Sequence, residues 1–283
     1  MSYGETFFLC TGLPKSGTTF LQRTLNLHPL VSCPSEHQLL FLRQLLLSAV
    51  NDYNNSLALI DQRTGGQGCT PLTTDGFRQV LKQAALAYSR EAAQGLKVHG
   101  INDNAAFARL GLYERILESP KIIAIIRNPI DRGVSAWVHN HKLREKEANA
   151  EHMQFLEGTD GTLEGWMRKS CSQFIAVMET YLRYATGRDN IVTVRYEDLI
   201  ANKDKVLWQI FAFLGVPTTP DEMTEIVDKS SLNAMKKEAS YPGFFGSASR
   251  NLGGDRVSPE LRAELLQTVG PTLERLGYLI REA

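Results

Sequence analysis

The segment from Gly12 to Thr19 constrains the fold of this chain most strongly, because it reads Gly-Leu-Pro-Lys-Ser-Gly-Thr-Thr. The apolar run Phe7–Cys10 before it predicts a buried strand, and the amphipathic stretch Thr18–Leu27 after it predicts a helix. A glycine-rich turn between a strand and a helix points backbone N–H groups and the positive end of the helix dipole at one anion. The sequence therefore predicts a phosphate-binding loop.

The lysine of this loop has an unusual position. The loops of nucleoside triphosphatases read G-x-x-x-x-G-K-[ST], with the lysine directly after the second glycine. Here Gly12 and Gly17 have the expected spacing, but Thr18 occupies the lysine position and Lys15 lies inside the loop. The loop keeps the groups that bind a phosphate and lacks the lysine that reaches a γ-phosphate. This indicates chemistry other than ATP hydrolysis.

Three more apolar runs predict buried strands, at Leu96–Val98, Ile122–Ile126 and Ile191–Val194. Stretches in which apolar residues have helical spacing separate these runs. Alternating strands and helices are typical of a parallel sheet that is covered on both faces. The pattern predicts an α/β fold of one domain, residues 1–283, whose central parallel sheet is flanked by helices as in P-loop nucleotide-binding folds.

Helices are predicted around residues 77–88, 174–182 and 205–214, and a serine–proline pair at 258–259 opens a last one. The segments 51–76, 146–163 and 240–256 are rich in Gly, Ser, Thr, Asn or Asp. Irregular segments of this length in a compact domain are commonly lids or binding loops. We expect these three segments to shape a binding site.

The charge balance argues against a polyanionic partner. The chain has 31 basic and 31 acidic residues, so no overall field favours nucleic acid or an anionic membrane. Four scattered cysteines lack metal-ligand spacing and indicate a reducing compartment. No apolar run is long enough to span a bilayer, and no signal peptide is visible. We expect a cytoplasmic protein without a nucleic-acid or membrane partner, whose oligomeric state stays open.

A second candidate anion site follows the predicted strand Ile122–Ile126. An asparagine–proline pair there starts a helix, which places Arg127 at the carboxyl end of the strand, where open α/β sheets bind ligands. Ser135 follows two helical turns later, and an arginine with a serine hydroxyl suits a phosphate dianion. The alternative is structural: Arg127 pairs with Asp131, and Ser135 is an ordinary helix residue.

Together these motifs resemble those of the sulfotransferases that use 3′-phosphoadenosine 5′-phosphosulfate (PAPS) and release adenosine 3′,5′-bisphosphate (PAP). The family's 5′-phosphosulfate loop is similar to Pro14–Phe20, and its 3′-phosphate motif is similar to Arg127–Ser135. The resemblance continues at Tyr196–Leu199, at Ser230–Lys236 and at Arg250. The matches follow the family's order across residues 7–255, with features of both the cytosolic and the tyrosylprotein or heparan-type members.

The resemblance implies transfer of a sulfuryl group to an acceptor hydroxyl, or alternatively an amine, without a metal ion. It assigns Lys15 to the 5′-phosphate and its bridging oxygen. The other implied nucleotide contacts are loop donors (Ser16, Gly17, Thr18, Thr19), 3′-phosphate ligands (Arg127, Ser135, Arg250) and residues near the adenine (Phe20, Tyr196, Ser230, Leu232). Cytosolic members carry tryptophan at position 20, phenylalanine at 232 and Arg-Lys-Gly where this chain has Arg250-Asn-Leu. Tyr196 has an equally good reading as a core residue.

Two residues are candidates for the base that accepts the acceptor's proton. Glu36 lies in a segment that resembles the one carrying the catalytic glutamate of tyrosylprotein and heparan-type enzymes. His99, in Lys97-Val-His99, resembles the catalytic histidine of cytosolic enzymes, and Lys97 is expected to assist with sulfonate charge. Both residues also have ordinary structural readings, as a helix-dipole acid and a hydrogen-bonded histidine. The sequence leaves the choice open.

Two other functions compete with sulfuryl transfer. One is a P-loop kinase that uses ATP and magnesium, and the other is a nucleotide-binding protein without catalysis. The unusual lysine position and the predicted 3′-phosphate clamp disfavour the kinase. The even charge balance favours a small-molecule or carrier-bound acceptor over a long sulfated polysaccharide.

Overall fold

Five parallel strands form one sheet at the centre of the protein. A computed structural model describes residues 4–34, 36–66, 68–146, 156–231 and 256–278. The strands are β1 (Thr6–Gly12), β2 (Val31–Ser32), β3 (Val98–Asn102), β4 (Lys121–Ile126) and β5 (Ile191–Arg195). Their order in the sheet is β2-β3-β1-β4-β5. The predicted α/β fold with a central parallel sheet is confirmed.

The apolar runs predicted β1, β4 and β5 closely, whereas β3 lies further along the chain than predicted. The predicted strand ended at Val98, but the observed one starts there and continues to Asn102. Gly100 allows β3 to approach β1, because a Cβ atom at this position would lie 2.3 Å from the carbonyl oxygen of Phe8. The stretch after Val98 contains a histidine, a glycine and an asparagine, so it lacks the apolar run on which the prediction rested.

Helices pack on both faces of the sheet. They are α1 (Thr18–Leu25), α2 (Leu39–Arg63), α3 (Thr74–Ala93), α4 (Leu110–Leu117), α5 (Pro129–Lys146), α6 (Leu163–Ala185), α7 (Tyr196–Ala201), α8 (Lys203–Leu214), α9 (Pro220–Lys229) and α10 (Pro259–Arg275), with a 3-10 helix at Asn104–Arg109. The predicted helices are confirmed. Ser258 caps α10, since its hydroxyl accepts the N–H of Leu261.

The predicted irregular segment 51–76 is largely helical. Helix α2 continues through it to Arg63, and α3 begins at Thr74. Asn54 lies inside α2 and binds the returning chain: its Oδ1 accepts the N–H of Leu72 at 2.8 Å, and its Nδ2 donates to the carbonyl of Leu72 at 3.1 Å. The asparagine thus fixes the connection between the two helices. The other two predicted loops lie mostly outside the described residues, apart from residues 146, 156–163 and 256.

A hydrophobic core lies on each face of the sheet. One contains fully buried Tyr113 and Phe174, and the other contains Phe8 and Phe211. The parallel register brings the carboxyl ends of the strands to one edge, where Gly12 of β1 lies beside Ile125 of β4. This edge carries the phosphate loop after β1 and the Arg127 motif after β4, which the sequence predicts as candidate anion sites. Among the described helices, none is long and apolar enough to cross a membrane.

Candidate active site

The loop after β1 has the backbone conformation of an anion-binding turn. Lys15 has a φ of 69° and Gly17 has a φ of 96°, so both are in the left-handed region. The N–H of Ser16 donates to the carbonyl of Leu13 at 3.0 Å, which closes the turn. Helix α1 begins directly afterwards, and its N-cap residue, Gly17, has no side chain to cap the first N–H groups. These groups are therefore free to donate to an anion.

Tyr196 packs against this loop from the end of β5. A Cβ atom on Gly17 would lie 2.4 Å from Cδ2 of Tyr196, so only glycine fits beside the ring. The guanidinium carbon of Arg127 lies 4.5 Å from the centre of the same ring. Burial raises the pKa of Tyr196, which keeps its hydroxyl protonated and available as a donor. Tyr196 thus connects the two predicted anion sites.

Arg127 lies at the carboxyl end of β4, as predicted, and is nearly buried. Its Nη1 donates to the carbonyl of Lys15 at 3.1 Å, so the arginine is bound directly to the loop. Its Nε is buried and has no hydrogen-bond partner among the residues that the structure describes. Burial, together with the positive charge of Arg127, lowers the pKa of Lys15. Two cations that lie this close are stabilised by an anion between them.

A cavity of about 1030 Å³ joins these groups. Its volume suits a nucleotide together with part of a second molecule. The predicted site residues that line it are Lys15, Gly17, Thr18, Thr19, Phe20, Glu36, Arg127, Ser135 and Tyr196. Ser16 is buried inside the loop. The structure thus brings together the two phosphate motifs and one of the two candidate bases.

Glu36 reaches the cavity from the segment between β2 and α2. It forms an isolated parallel bridge with Asn102, and its Oε1 accepts a hydrogen bond from Nδ2 of Asn104 at 3.0 Å. The carboxylate is exposed rather than buried. Asp103 anchors the segment, because its Oδ2 accepts the N–H of Leu39 at 3.0 Å. Burial raises the pKa of Asp103.

His99 and Lys97 do not lie at this site, so their predicted placement is wrong. His99 is level with Phe7 in the sheet, five residues before the end of β1 and roughly 16 Å from it at the usual rise per strand residue. Its ring is buried, with Nδ1 2.6 Å from Oγ of Ser89 and Nε2 2.7 Å from Oε1 of Glu5. Lys97 precedes β3 at the same far edge, where its carbonyl accepts the N–H of Thr6.

Ser230 is buried at the end of α9 and is not among the described residues that line the cavity. Its hydroxyl donates to the carbonyl of Val227 at 3.1 Å, and its carbonyl accepts Nζ of Lys203 at 2.8 Å. The same Nζ lies 5.5 Å from the ring centre of Phe20. Leu232 and Arg250 lie outside the described residues.

The structure adds cavity residues that sequence reasoning missed. Asn104 lies two residues after the end of β3, and this position would have identified it had β3 been placed correctly. Arg132 and Lys142 lie on α5, at helical spacing from Ser135, and Arg256 precedes α10. In the described part of the chain, no cluster of three or more His, Cys, Asp or Glu side chains has metal-site geometry.

Similar folds occur among solved structures of sulfotransferases. A sulfotransferase from Alicyclobacillus acidocaldarius is 20% identical over 98% of this chain and 95% of its own, with a TM-score of 0.53. Mouse sulfotransferase SULT7A1, complexed with PAP, is 16% identical over 97% and 86%, with a TM-score of 0.57. The sulfotransferase domain of the curacin biosynthetic pathway is 18% identical over 99% and 100%, with a TM-score of 0.54.

A sequence comparison with curated proteins found no significant match. The sequence model of the sulfotransferase domain family, in contrast, matches residues 5–241. This match includes the phosphate loop, the Arg127–Ser135 motif and every strand of the sheet. The chain therefore belongs to the sulfotransferase domain family.

Proposed function

We propose that this protein transfers a sulfuryl group from PAPS to the hydroxyl of a small-molecule or carrier-bound acceptor, with an amine as the alternative acceptor group. The proposal rests mainly on the hydrogen bond from Arg127 to the carbonyl of Lys15. It joins two anion sites in one cavity, as a nucleotide with phosphates at both ends requires. The PAP bound to the similar mouse enzyme is such a nucleotide.

The residues present fit PAPS. The uncapped start of α1 and the left-handed turn at Lys15 suit a 5′-phosphosulfate. The Nε of Arg127, without a partner in the described part of the chain, and the hydroxyl of Ser135 in the same cavity suit a 3′-phosphate dianion. Phe20 and Tyr196 line the same cavity and offer aromatic surface to the adenine. Ser230, Leu232 and Arg250 stay predictions for the remaining nucleotide contacts.

PAPS supplies the sulfuryl group: the S–O bond to its 5′-phosphate breaks, a new S–O bond to the acceptor oxygen forms, and PAP leaves with the electron pair of the broken bond. Lys15 and the α1 amides stabilise the negative charge that grows on the departing phosphate oxygen. Arg127 and Ser135 hold the other end of the nucleotide and fix its position.

Glu36 is the base in this proposal. A carboxylate that lines the cavity can take the acceptor's proton as the new S–O bond forms. The hydrogen bond from Asn104 fixes one carboxylate oxygen and leaves the other available. His99 has no part in the step, since both of its ring nitrogens bind partners at the far edge of the sheet. We further propose a cytoplasmic location, with which four unpaired cysteines agree.

Acceptor-dependent release of PAP tests the proposal. Purified protein is incubated with PAPS and a mixture of alcohols, phenols and amines in EDTA, and both PAP and sulfated products are measured by mass spectrometry. We expect equal amounts of PAP and sulfated product, and a fall of at least tenfold in Glu36→Gln. Glu225→Gln, an exposed carboxylate of α9 paired with Lys229, is the matched control. Transfer only from ATP with magnesium would refute the proposal in favour of a kinase.

A further inference from the structure

The cavity has a strong positive charge in a chain whose total charge is zero. Among the described residues that line it are five lysines and arginines but one carboxylate, that of Glu36. The whole chain has 31 basic and 31 acidic residues. The five cations are Lys15, Arg127, Arg132, Lys142 and Arg256. The cavity therefore has an excess of positive charge that the chain as a whole lacks, and such an excess favours an anionic ligand.

None of these five cations has a carboxylate within salt-bridge distance in the described part of the chain. Arg132 shows this most clearly, because it is nearly buried and its Nη2 donates to the neutral hydroxyl of Ser170 at 2.8 Å. Its Nε is buried and finds no hydrogen-bond partner within the described ranges. Buried cations without counter-ions are costly unless a ligand supplies the negative charge.

The proposed nucleotide accounts for three of the five. Lys15 serves the 5′-phosphosulfate, and Arg127 serves the 3′-phosphate. Arg132 belongs with Arg127, because both line the cavity and Arg132 lies in the first turn of α5, which begins two residues after Arg127. Burial and the charge of Arg127 lower the pKa of Arg132 to about 10. A phosphate monoester carries about two negative charges at pH 7, which these two arginines match. Lys142 and Arg256 are left over.

Lys142 lies on the same face of α5 as Ser135 but further along the helix. Positions seven residues apart are two turns apart on one face, which places their backbones roughly 10 Å from each other. His139 lies between them and also lines the cavity. The side chain of Lys142 is exposed. Lys142 therefore extends the positive surface of α5 along the cavity, away from the 3′-phosphate site.

We propose that the acceptor carries an anionic group, a carboxylate or a phosphate, which Lys142 binds while the reacting hydroxyl lies at Glu36. Arg256 adds positive charge to the same cavity. The inference rests on the proposed function, since it assigns the acceptor half of that site. It narrows the substrate class to hydroxylated acids and hydroxylated phosphate esters, because these acceptors offer Lys142 a group of opposite charge inside the cavity.

A matched set of probes tests this. The probes are 4-hydroxyphenylacetate, its methyl ester, tyramine and 4-hydroxybenzylphosphonate, with 6-hydroxyhexanoate and its methyl ester as an aliphatic pair. Sulfated products are measured by mass spectrometry under kcat/KM conditions. We expect 4-hydroxyphenylacetate and 6-hydroxyhexanoate each to exceed its methyl ester at least tenfold, and the comparison of 4-hydroxyphenylacetate with the phosphonate shows which anion is preferred. Lys142→Gln should reduce that ratio at least fivefold, and Lys142→Glu should turn the preference towards tyramine.

Lys205→Gln is the matched control, since Lys205 is exposed on α8 and is not among the described residues that line the cavity. The inference is overturned if no anionic probe is sulfated, if the esters react equally well, or if both Lys142 variants keep the wild-type ranking. A loss of PAP affinity in Lys142→Gln, measured by calorimetry, also overturns it, because Lys142 would then serve the nucleotide. Failure of the wild-type protein to bind PAP refutes the proposed function instead.

Discussion

The contact between Gly17 and Tyr196 gives a prediction that can be worked out from the structure. In Gly17→Ala the new Cβ meets the ring of Tyr196 at 2.4 Å from Cδ2, and the residue keeps a φ of 96°. The left-handed conformation costs about 1–2 kcal/mol for alanine. Forcing a methyl group into a packed contact adds about 1–3 kcal/mol. We expect the free energy of unfolding to fall by about 2–5 kcal/mol.

Gly95→Ala separates the two contributions. Gly95 has a φ of 97°, nearly the same as Gly17, but nothing lies within 4 Å of its ideal Cβ position. It should therefore lose only the backbone contribution, about 1–2 kcal/mol, in urea unfolding. Gly17→Ala should also weaken PAP binding at least tenfold in calorimetry, because a displaced Tyr196 ring no longer supports Arg127. Equal stability losses in the two variants, with normal PAP binding in both, would refute this account of the loop.

Three further predictions concern the candidate base and the far edge of the sheet. Glu36→Gln should lower turnover at least tenfold while calorimetry finds PAP affinity within threefold of wild type; normal turnover would exclude Glu36 as the base. His99→Asn should lower the melting temperature yet change kcat less than threefold, and a tenfold loss of kcat without loss of stability would return His99 to the mechanism. Hydrogen bonds from Arg90 and His99 lower the pKa of Glu5 to about 2 from 4.5. Because this pKa is depressed on folding, its stabilising contribution is present above pH 4.5 and is lost as the pH falls towards 2. The difference in melting temperature between wild type and Glu5→Gln should shrink over that range, and a constant difference would contradict the assignment.

Local motifs predicted most of the residues that the structure brings together around the cavity. The phosphate loop and the Arg127 motif are each contained within a short stretch, and each follows an apolar strand that fixes its place at the sheet edge. The same strands predicted the central sheet. Such motifs do not show how they contact each other. The hydrogen bond from Arg127 to Lys15, for example, joins residues that are 112 positions apart in the sequence.

The error at His99 has a specific physical cause. A buried histidine inside a strand breaks the apolar run, so the strand appeared to end just before it. The histidine is tolerated because Ser89 and Glu5, remote in sequence, satisfy both ring nitrogens. The polar composition of segment 51–76 misled in the opposite way: it predicted an irregular loop, whereas the amide of Asn54, inside α2, binds Leu72 across a helix connection. In both cases a tertiary hydrogen bond overrides the local pattern.

The binding of PAP compared with AMP tests the central claim most directly, because the two nucleotides differ by the 3′-phosphate alone. Calorimetry in EDTA should show that the wild-type protein prefers PAP at least 100-fold. In Arg127→Ala the affinity for PAP should exceed that for AMP by about tenfold or less, while the affinity for AMP itself changes little. Equal affinity of the wild-type protein for the two nucleotides, or a preference that survives in Arg127→Ala, would contradict the account.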